Sequence, residues 1–304
     1  MCYAVGRNDR GGNDVARTLH FEIPEHYNGR KVIHFLRGEA GLSSRLTISL
    51  KYRADGILLN GEHIRTIDLL KTGDVLTVNL PDETSTVPAV SVVPLDIVYE
   101  DEDILVINKP AGLAMHPTHN HQDDSLANCV ASYRPGTVFR AVGRLDKCTS
   151  GLVLCAMNQM AAAALSGKYE KEYLALAGAV FEGSGTIDKP IYRPDPMKTL
   201  RAVGETGESA VTHWQALATD GRNTLLRIRL ETGRTHQIRV HFASLGAPLL
   251  GDEMYGSDIR PPERAALHCE KLTFVHPVTK QELCFSAPMP QDMQTIADHM
   301  KYYK

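Results

Sequence analysis

The sequence predicts an α+β chain: a mixed, mainly antiparallel β-sheet domain with flanking helices, preceded by a small α/β unit. Three observations predict it. Strand-like stretches outnumber helix-like ones and do not alternate strictly with them, as a doubly wound parallel sheet would require. The stretch LPDETSTVPAVSVVPLD (Leu80 to Asp96) concentrates Pro, Ser and Thr. Its prolines disfavour helix or central strand, which places a linker at residues 81–93. Finally, 304 residues with 43% hydrophobic content suit one large domain plus a smaller one. The expected division is a segment 1–20, a small module 21–80, the linker 81–93 and a main domain 94–304.

In the small module, GRKVIHFLRGEAGLSSRLTISLKYR (Gly29 to Arg53) reads as helical, broken near Gly41 and restarted by a Ser43-Ser44 cap. Arg30, Lys31, Arg37, Arg45, Lys51 and Arg53 stand there against a single acid, Glu39. GILLNGEHIRTIDLLKTGDVLTVNL follows as short strands turning at Asn60-Gly61 and Gly73-Asp74. A basic helical pair leading into a small β unit suits a nucleic-acid-binding module, with Arg45 and Lys51 as candidate RNA contacts; a solvated charged helix face is the plainer alternative.

In the main domain, Asp96 to Pro117 reads as two strands around Asp101-Glu102-Asp103, and SLANCVASYR as a helix. NQMAAAALSGKYEKEYLALAGAVF is a helix and then a strand; VTHWQALAT and NTLLRIRLE are strands. THQIRVHFASLG is a helix with Thr235 as cap and Gly246 as terminator.

The net charge is −3, so a whole-chain basic signature for nucleic acid is missing and charge must be read regionally. The six cysteines form no C-x-x-C pair. With no apolar leader in MCYAVGRNDRGGND, they read as free thiols in a reducing compartment. The longest apolar run, Tyr173 to Phe181, is too short to cross a bilayer. A cytoplasmic protein without membrane contact is expected, and nothing demands more than a monomer.

The chemistry centres on AVGRLDKCTSGLVL, Ala141 to Leu154, where Asp146 lies just ahead of an apolar strand. Burying that carboxylate is costly without a partner. A turn former or structural ion pair is one reading, a catalytic acid the other. No metal is expected: His116, His119 and His121 are loosely spaced in a loop, and His236 and His241 are five apart rather than four. No phosphate loop or dinucleotide fingerprint exists, so no cofactor is expected. Ser150 lacks the G-x-S-x-G elbow of a nucleophile. From Arg222 to His241 run Arg222, Arg227, Arg229, Arg234 and Arg239 against only Glu231. Arg227 and Arg229 share one strand face, expected to line an anionic cleft. Arg234, at the strand–helix turn, is the expected partner of Asp146, being planar and bidentate.

These residues resemble a known family. GRLDKCTSGLVL resembles the catalytic motif of the RluA-type pseudouridine synthases, usually H-R-L-D-x-x-T-S-G-L. NKPAGLAMHP, KYEKEYLALAGA, GTIDKPI, GESAVTHWQAL and LETGRTHQIRVHFASLGAPLLGDEMYG are similar to its other segments in order, over about residues 95–290. The upstream unit resembles, more weakly, the αL-type RNA-binding module named after ribosomal small-subunit protein four, without its usual opening R-L-D. Gly143 departs from the family, which commonly has His there.

The resemblance implies the pseudouridine synthase fold and cofactor-free isomerisation of uridine in structured RNA, ribosomal RNA first and transfer RNA second. It implies that Asp146 is the essential carboxylate, acting as nucleophile at the anomeric carbon or, by preference, as the base that gives a glycal. It implies that Tyr173 stacks on the detached uracil and serves in removing the carbon-5 proton, and that Arg144 attends the flipped nucleotide. Ile238 and Leu249 to Asp252 are expected to shape the uracil pocket. Two other readings stand beside it: a base-releasing hydrolase, with Asp252 as the conceivable second carboxylate, and a non-catalytic RNA-binding or ribosome-assembly protein on the same fold.

Overall fold

A computed structural model describes residues 15–81, 85–90, 93–117, 122–258 and 261–303. His119 and His121 lie outside the described residues.

The N-terminal unit consists of β1 (Val15–Glu22), α1 (Val32–Arg37), α2 (Ser44–Lys51), β2 (Ile57–Leu59), β3 (Glu62–His63) and β4 (Val75–Pro81). Its strands form an antiparallel sheet in the order β1-β4-β2-β3. The Ser43 hydroxyl accepts from the Leu46 N–H and starts α2. Asn60 and Gly61 both take positive φ, 51° and 88°, the pairing a tight two-residue hairpin needs. The boundary expected between residues 20 and 21 falls inside β1, whose Leu19 and Phe21 are buried in the unit's core and whose register with β4 begins at Val15. A strand so near the start of the chain carries no turn or cap signal to mark it.

The main unit carries β5 (Ile97–Glu100), β6 (Ile104–Lys109), α3 (Leu126–Tyr133), β7 (Arg140–Val142), β8 (Ser150–Ala156), α4 (Gln159–Leu165) and β9 (Tyr169–Ala177). These are followed by β10 (Ser184–Asp188), β11 (Ile191–Tyr192), β12 (Ala202–Val203), β13 (Val211–Thr219), β14 (Thr224–Leu230) and α5 (Gln237–Ala243). The chain closes with β15 (Leu267–Val275), β16 (Glu282–Ser286), α6 (Gln291–Ala297) and β17 (Lys301–Tyr302). The large sheet runs β10-β13-β14-β9-β15-β8-β6-β5, with β7 beside β8, β16 beside β15 and β17 beside β13. Every pairing is antiparallel except β15 with β8, so the sheet is mixed and mainly antiparallel. The apolar run of β8 is buried along its whole length, as a strand covered on both faces must be.

Where β8 enters the sheet, Gly151 lies against the Cys269 backbone: any β-carbon there would come within 2.6 Å of the Cys269 nitrogen. Together with its φ of 111°, this restricts the position to glycine. The consequence for the site is that the loop before β8 is pinned to β15 and β9, the strand that carries Tyr173.

The two units share an interface. Arg17 of β1 donates to both carboxylate oxygens of Asp103, at 3.2 and 2.9 Å, and pairs with Glu102. Asn158 also donates to Asp103, at 2.8 Å. Met160 of α4 and Val278 complete the buried cluster around Leu46, Leu50 and Val78.

Candidate active site

Asp146 sits in the loop joining β7 to β8, residues 143–149. Leu145, buried, anchors the loop from below. The Thr149 N–H donates to the Asp146 carbonyl at 3.0 Å and tightens the turn. A second grip comes from the segment after β6. The Gly112 N–H donates to the Lys147 carbonyl at 2.8 Å. The fully buried Lys109 ammonium donates to the Pro110, Leu113 and Lys147 carbonyls at 2.8, 2.9 and 3.4 Å. Burial brings the Lys109 pKa down to about 7, while three carbonyl acceptors match the three N–H groups of its charged form.

The loop opens with Gly143 at φ 81°. A β-carbon at 143 would meet the Tyr169 ring, 2.8 Å from Cζ. The Tyr169 side chain therefore fills the space a side chain at 143 would need. Gly143 and Tyr169 are a matched pair.

The Asp146 carboxylate is mostly buried and lies 3.5 Å from Nη1 of Arg239 and 3.9 Å from Nε2 of His236. Arg239 holds Asp252 with two hydrogen bonds of 2.7 Å, leaving Nη1 for Asp146. Burial alone would lower the Arg239 pKa; the Asp252 hydrogen bonds and the nearby negative charges, Asp252 and Asp146 among them, together outweigh it and raise it. The expected Asp146–Arg234 pairing is thus corrected. Arg234 bonds Glu208 and the Ser209 carbonyl, at 3.1 Å for the latter, on the outer wall. The reason is helix register. His236, not Thr235, occupies the N-cap of α5, in the left-handed region at φ 59°, so the helix begins at Gln237 and turns Arg239 inward.

His236 is itself held. Its Nδ1 is 3.0 Å from the Tyr255 hydroxyl, which accepts from the Arg201 N–H at 3.0 Å. With that lone pair used, the Tyr255 proton is free to go to Nδ1, and the neutral ring then carries its own proton on Nε2, facing Asp146. Burial lowers the His236 pKa, against the opposing pull of Asp146, and keeps the ring neutral.

Asp146, His236 and Arg239 line one open pocket with Arg144, Tyr173, Leu230, Arg234 and Ile238. Tyr173 enters from β9, directly opposite Ile228 of β14 and Cys269 of β15. Burial raises the Tyr173 hydroxyl pKa well above its ordinary value, so it keeps its proton at neutral pH. Arg144 is exposed at the rim, close enough to His116 to add to the lowering that burial imposes on that imidazole.

Arg227 and Arg229 do not line this pocket. In β14 they alternate with Leu226 and Ile228, and Ile228 is the residue that faces Tyr173. The two arginines therefore occupy the other face of the sheet, on Glu172 at 3.6 and 2.8 Å, with Lys271 at 3.7 Å. Arg45 and Lys51 are exposed on α2 beside Tyr52, with the Lys51 ammonium 4.7 Å from the Tyr52 ring centre.

Away from the pocket, Asp101, Asp103 and His276 cluster closely enough to suggest a cation, but their atoms are engaged. Asp103 holds Arg17 and Asn158, while Asp101 holds His276, the Tyr99 hydroxyl and two backbone N–H groups. Burial opposes ionisation of Asp101, yet these hydrogen bonds bring its pKa down to about 2.

Comparison with known proteins gives this arrangement a family. Residues 103–244 match the family described as RNA pseudouridylate synthase. A Bacillus subtilis protein named Uncharacterized RNA pseudouridine synthase YjbO is 40% identical over 270 residues, covering 85% of this chain and 95% of the relative. The chain belongs to the RNA pseudouridylate synthase family. A Xanthomonas campestris relative of the synthase, named Ribosomal large subunit pseudouridine synthase D, is 36% identical, covering 92% of this chain and 91% of its own. Among solved structures, Human RNA Pseudouridylate Synthase Domain Containing 1 matches with a TM-score of 0.57 at 28% identity, covering 70% of this chain and 90% of its own. The synthase is of the RluA type: an isomerase that converts uridine in RNA to pseudouridine.

Proposed function

We propose that the synthase modifies ribosomal RNA and that Asp146 begins the reaction. One observation carries the catalytic assignment: among the described residues lining the pocket, Asp146 is the only carboxylate. A uridine flipped out of its stack can place its ribose over Asp146 and its base between Tyr173 and the apolar Ile238 and Leu230. Asp146 then takes the proton from ribose carbon 2 as the glycosidic bond to nitrogen 1 breaks. The bonding electrons leave with uracil as an anion, and the sugar becomes a glycal. The base turns, and carbon 5 bonds to the anomeric carbon as the proton returns to carbon 2. Loss of the carbon-5 proton, matched by protonation of nitrogen 1, completes the isomer with no net change in atoms or electrons. Arg239 holds Asp146 in place, and the protonated Tyr173 hydroxyl and neutral His236 offer donors to the detached base.

A base-releasing hydrolase would need a second carboxylate to manage water. Asp252 is 1% exposed with both oxygens on Arg239, which removes it from that role. A purely RNA-binding role is disfavoured by the intact set Asp146, Tyr173 and Arg239.

The ribosomal target is supported by the relatives named for the large ribosomal subunit and by the basic, aromatic outer face of α2, where Arg45, Lys51 and Tyr52 would meet RNA. Transfer RNA is the second choice. The described cysteines are free thiols, and among the described residues no helix is long and apolar enough to cross a membrane. A cytoplasmic monomer fits these observations. The test is tritium release from ribosomal RNA labelled at uridine carbon 5, taken from cells lacking the protein. Wild type should release tritium without free uracil and Asp146→Asn should release none. Free uracil would point to a hydrolase, and no release from ribosomal RNA with release from transfer RNA would move the target.

A further inference from the structure

A second cleft, of about 910 Å³, adjoins the catalytic pocket and shares its Gly233–Thr235 wall. Its far wall is the β11–β12 hairpin. Three guanidinium groups line it, Arg193, Arg201 and Arg234, against one carboxylate, Glu208, which is paired with Arg234. Arg193 gives Nε to the Lys198 carbonyl, and Arg201 gives Nη1 to the Thr199 and Leu200 carbonyls. A guanidinium has five N–H donors, so each has others left for an anion. The partly exposed Tyr192 adds an aromatic ring. None of the three arginines is an ion-pair partner of Asp146, whose described partners are His236 and Arg239.

Covalent continuity decides what such a cleft is for. A uridine held over Asp146 remains joined to its neighbours by phosphodiesters, and these must lie within one nucleotide of the pocket. The cleft lies one wall away, is lined by excess positive charge, and is wired to the catalytic group. The Arg201 N–H donates to the Tyr255 hydroxyl, which contacts His236, whose Nε2 faces Asp146.

We propose that this cleft binds the backbone phosphate of a nucleotide adjacent to the flipped uridine, with Arg193 and Arg201 as its principal ligands; the proposal rests on the synthase acting on RNA. Arg234 forms the ridge between the two sites. RNA seated in the cleft fixes the hairpin, and through Tyr255 it fixes the imidazole beside Asp146. The hairpin is thus a part of the substrate site that no motif around Asp146 announces.

Salt dependence reports directly on bound phosphates. For every phosphate that a variant no longer neutralises, the slope of log affinity against log salt falls by about 0.7 on single strands and about 0.9 on duplex. Filter binding of the full chain to large-subunit ribosomal RNA, in an Asp146→Asn background that blocks turnover, is measured from 50 to 200 mM KCl. Arg193→Gln/Arg201→Gln, which leaves that one phosphate unneutralised, should lower the slope by about 0.7 to 0.9. Arg193→Lys/Arg201→Lys, which keeps both charges, should stay near the parent slope and so separates missing charge from a loosened hairpin. Arg222→Gln, in the turn at the other end of β14, should leave the slope unchanged. A parent slope in the double Gln variant overturns the proposal, as does an equal drop in the Lys variant. Tritium release by the wild type tests the isomerase reading separately: a chain that binds RNA but releases none loses its substrate assignment while the slope still decides the cleft. No measurable RNA affinity refutes both.

Discussion

Arg239→Met tests how Asp146 is held. The guanidinium lies between two carboxylates, bonded twice to the fully buried Asp252 and 3.5 Å from Asp146. At an effective dielectric of about 20, unit charges at that separation attract by about 5 kcal/mol, and the desolvation of the arginine offsets part of it. The larger penalty of the substitution is what it leaves behind, two mostly buried carboxylates with no cation between them. Removing one partner of a buried pair costs about 3–5 kcal/mol. At roughly 2–4 °C per kcal/mol for a domain of this size, the melting temperature should fall by roughly 6–20 °C. Asp252→Asn added to Arg239→Met should recover part of the loss, with a coupling of up to about 3 kcal/mol in the double-mutant cycle. Arg234→Met is the comparator. Its pair with Glu208 is open to solvent and should change stability by less than about 1 kcal/mol. The assays are urea denaturation and, at a temperature where both variants are folded, tritium release. Arg239→Met should lose release. Equal denaturation midpoints for the two variants, or release that survives Arg239→Met and vanishes with Arg234→Met, would refute the assignment.

Gly143→His should cost about 1–3 kcal/mol from its left-handed backbone, together with a clash against Tyr169. Tyr169→Ala added to it should relieve the clash but not the strain, and a Gly143→His midpoint equal to wild type in urea would sink the pairing. Tyr173→Phe should keep the fold and lower tritium release by about 10²-fold or more if the hydroxyl handles a proton; full release would leave the ring as the only contributor. Burial lowers the pKa of His236, His241 and His268 below the ordinary 6.5. Each then binds a proton more readily unfolded than folded, so their contribution is full above about pH 6.5 and is lost as pH falls through the lowered values. Urea stability should drop between pH 7.5 and pH 5, and a flat or rising profile would contradict the burial of these rings.

The elements with local signals were legible, among them the Ser43 and Asn60-Gly61 turns, the all-apolar β8 and the alternation in β14, whereas β1 and the strands and helix after Gly246 were not read. What distance in sequence hides is which face meets which. Alternation correctly put Arg227 and Arg229 on one side of β14. Only the register with β9 shows that the apolar side, through Ile228, is the one fronting Tyr173. Arg239 had a readable sign, a charge set among the buried Ile238, Val240 and Phe242 of α5. Its partner Asp252 comes after that helix has ended, and no local rule joins the two. The left-handed His236 that sets the helix register has no counterpart in capping preferences, which favour Thr at such a position. Asp146 was legible as a candidate because R-L-D and T-S-G-L stand around it, although Gly143 departs from the motif just where the loop must fit Tyr169.

The Arg17–Asp103 contact has a bearing on how the chain can be divided. The proline-bearing segment looks like a place to cut it. Yet a piece beginning at residue 94 would present the Asp103 carboxylate without Arg17, and Met160 and Val278 without the apolar neighbours that bury them. A piece ending at residue 81 would carry an unanswered Arg17 and an incomplete core. The covalent linker is thus the weaker of the two joints, and the chain should melt as one cooperative body.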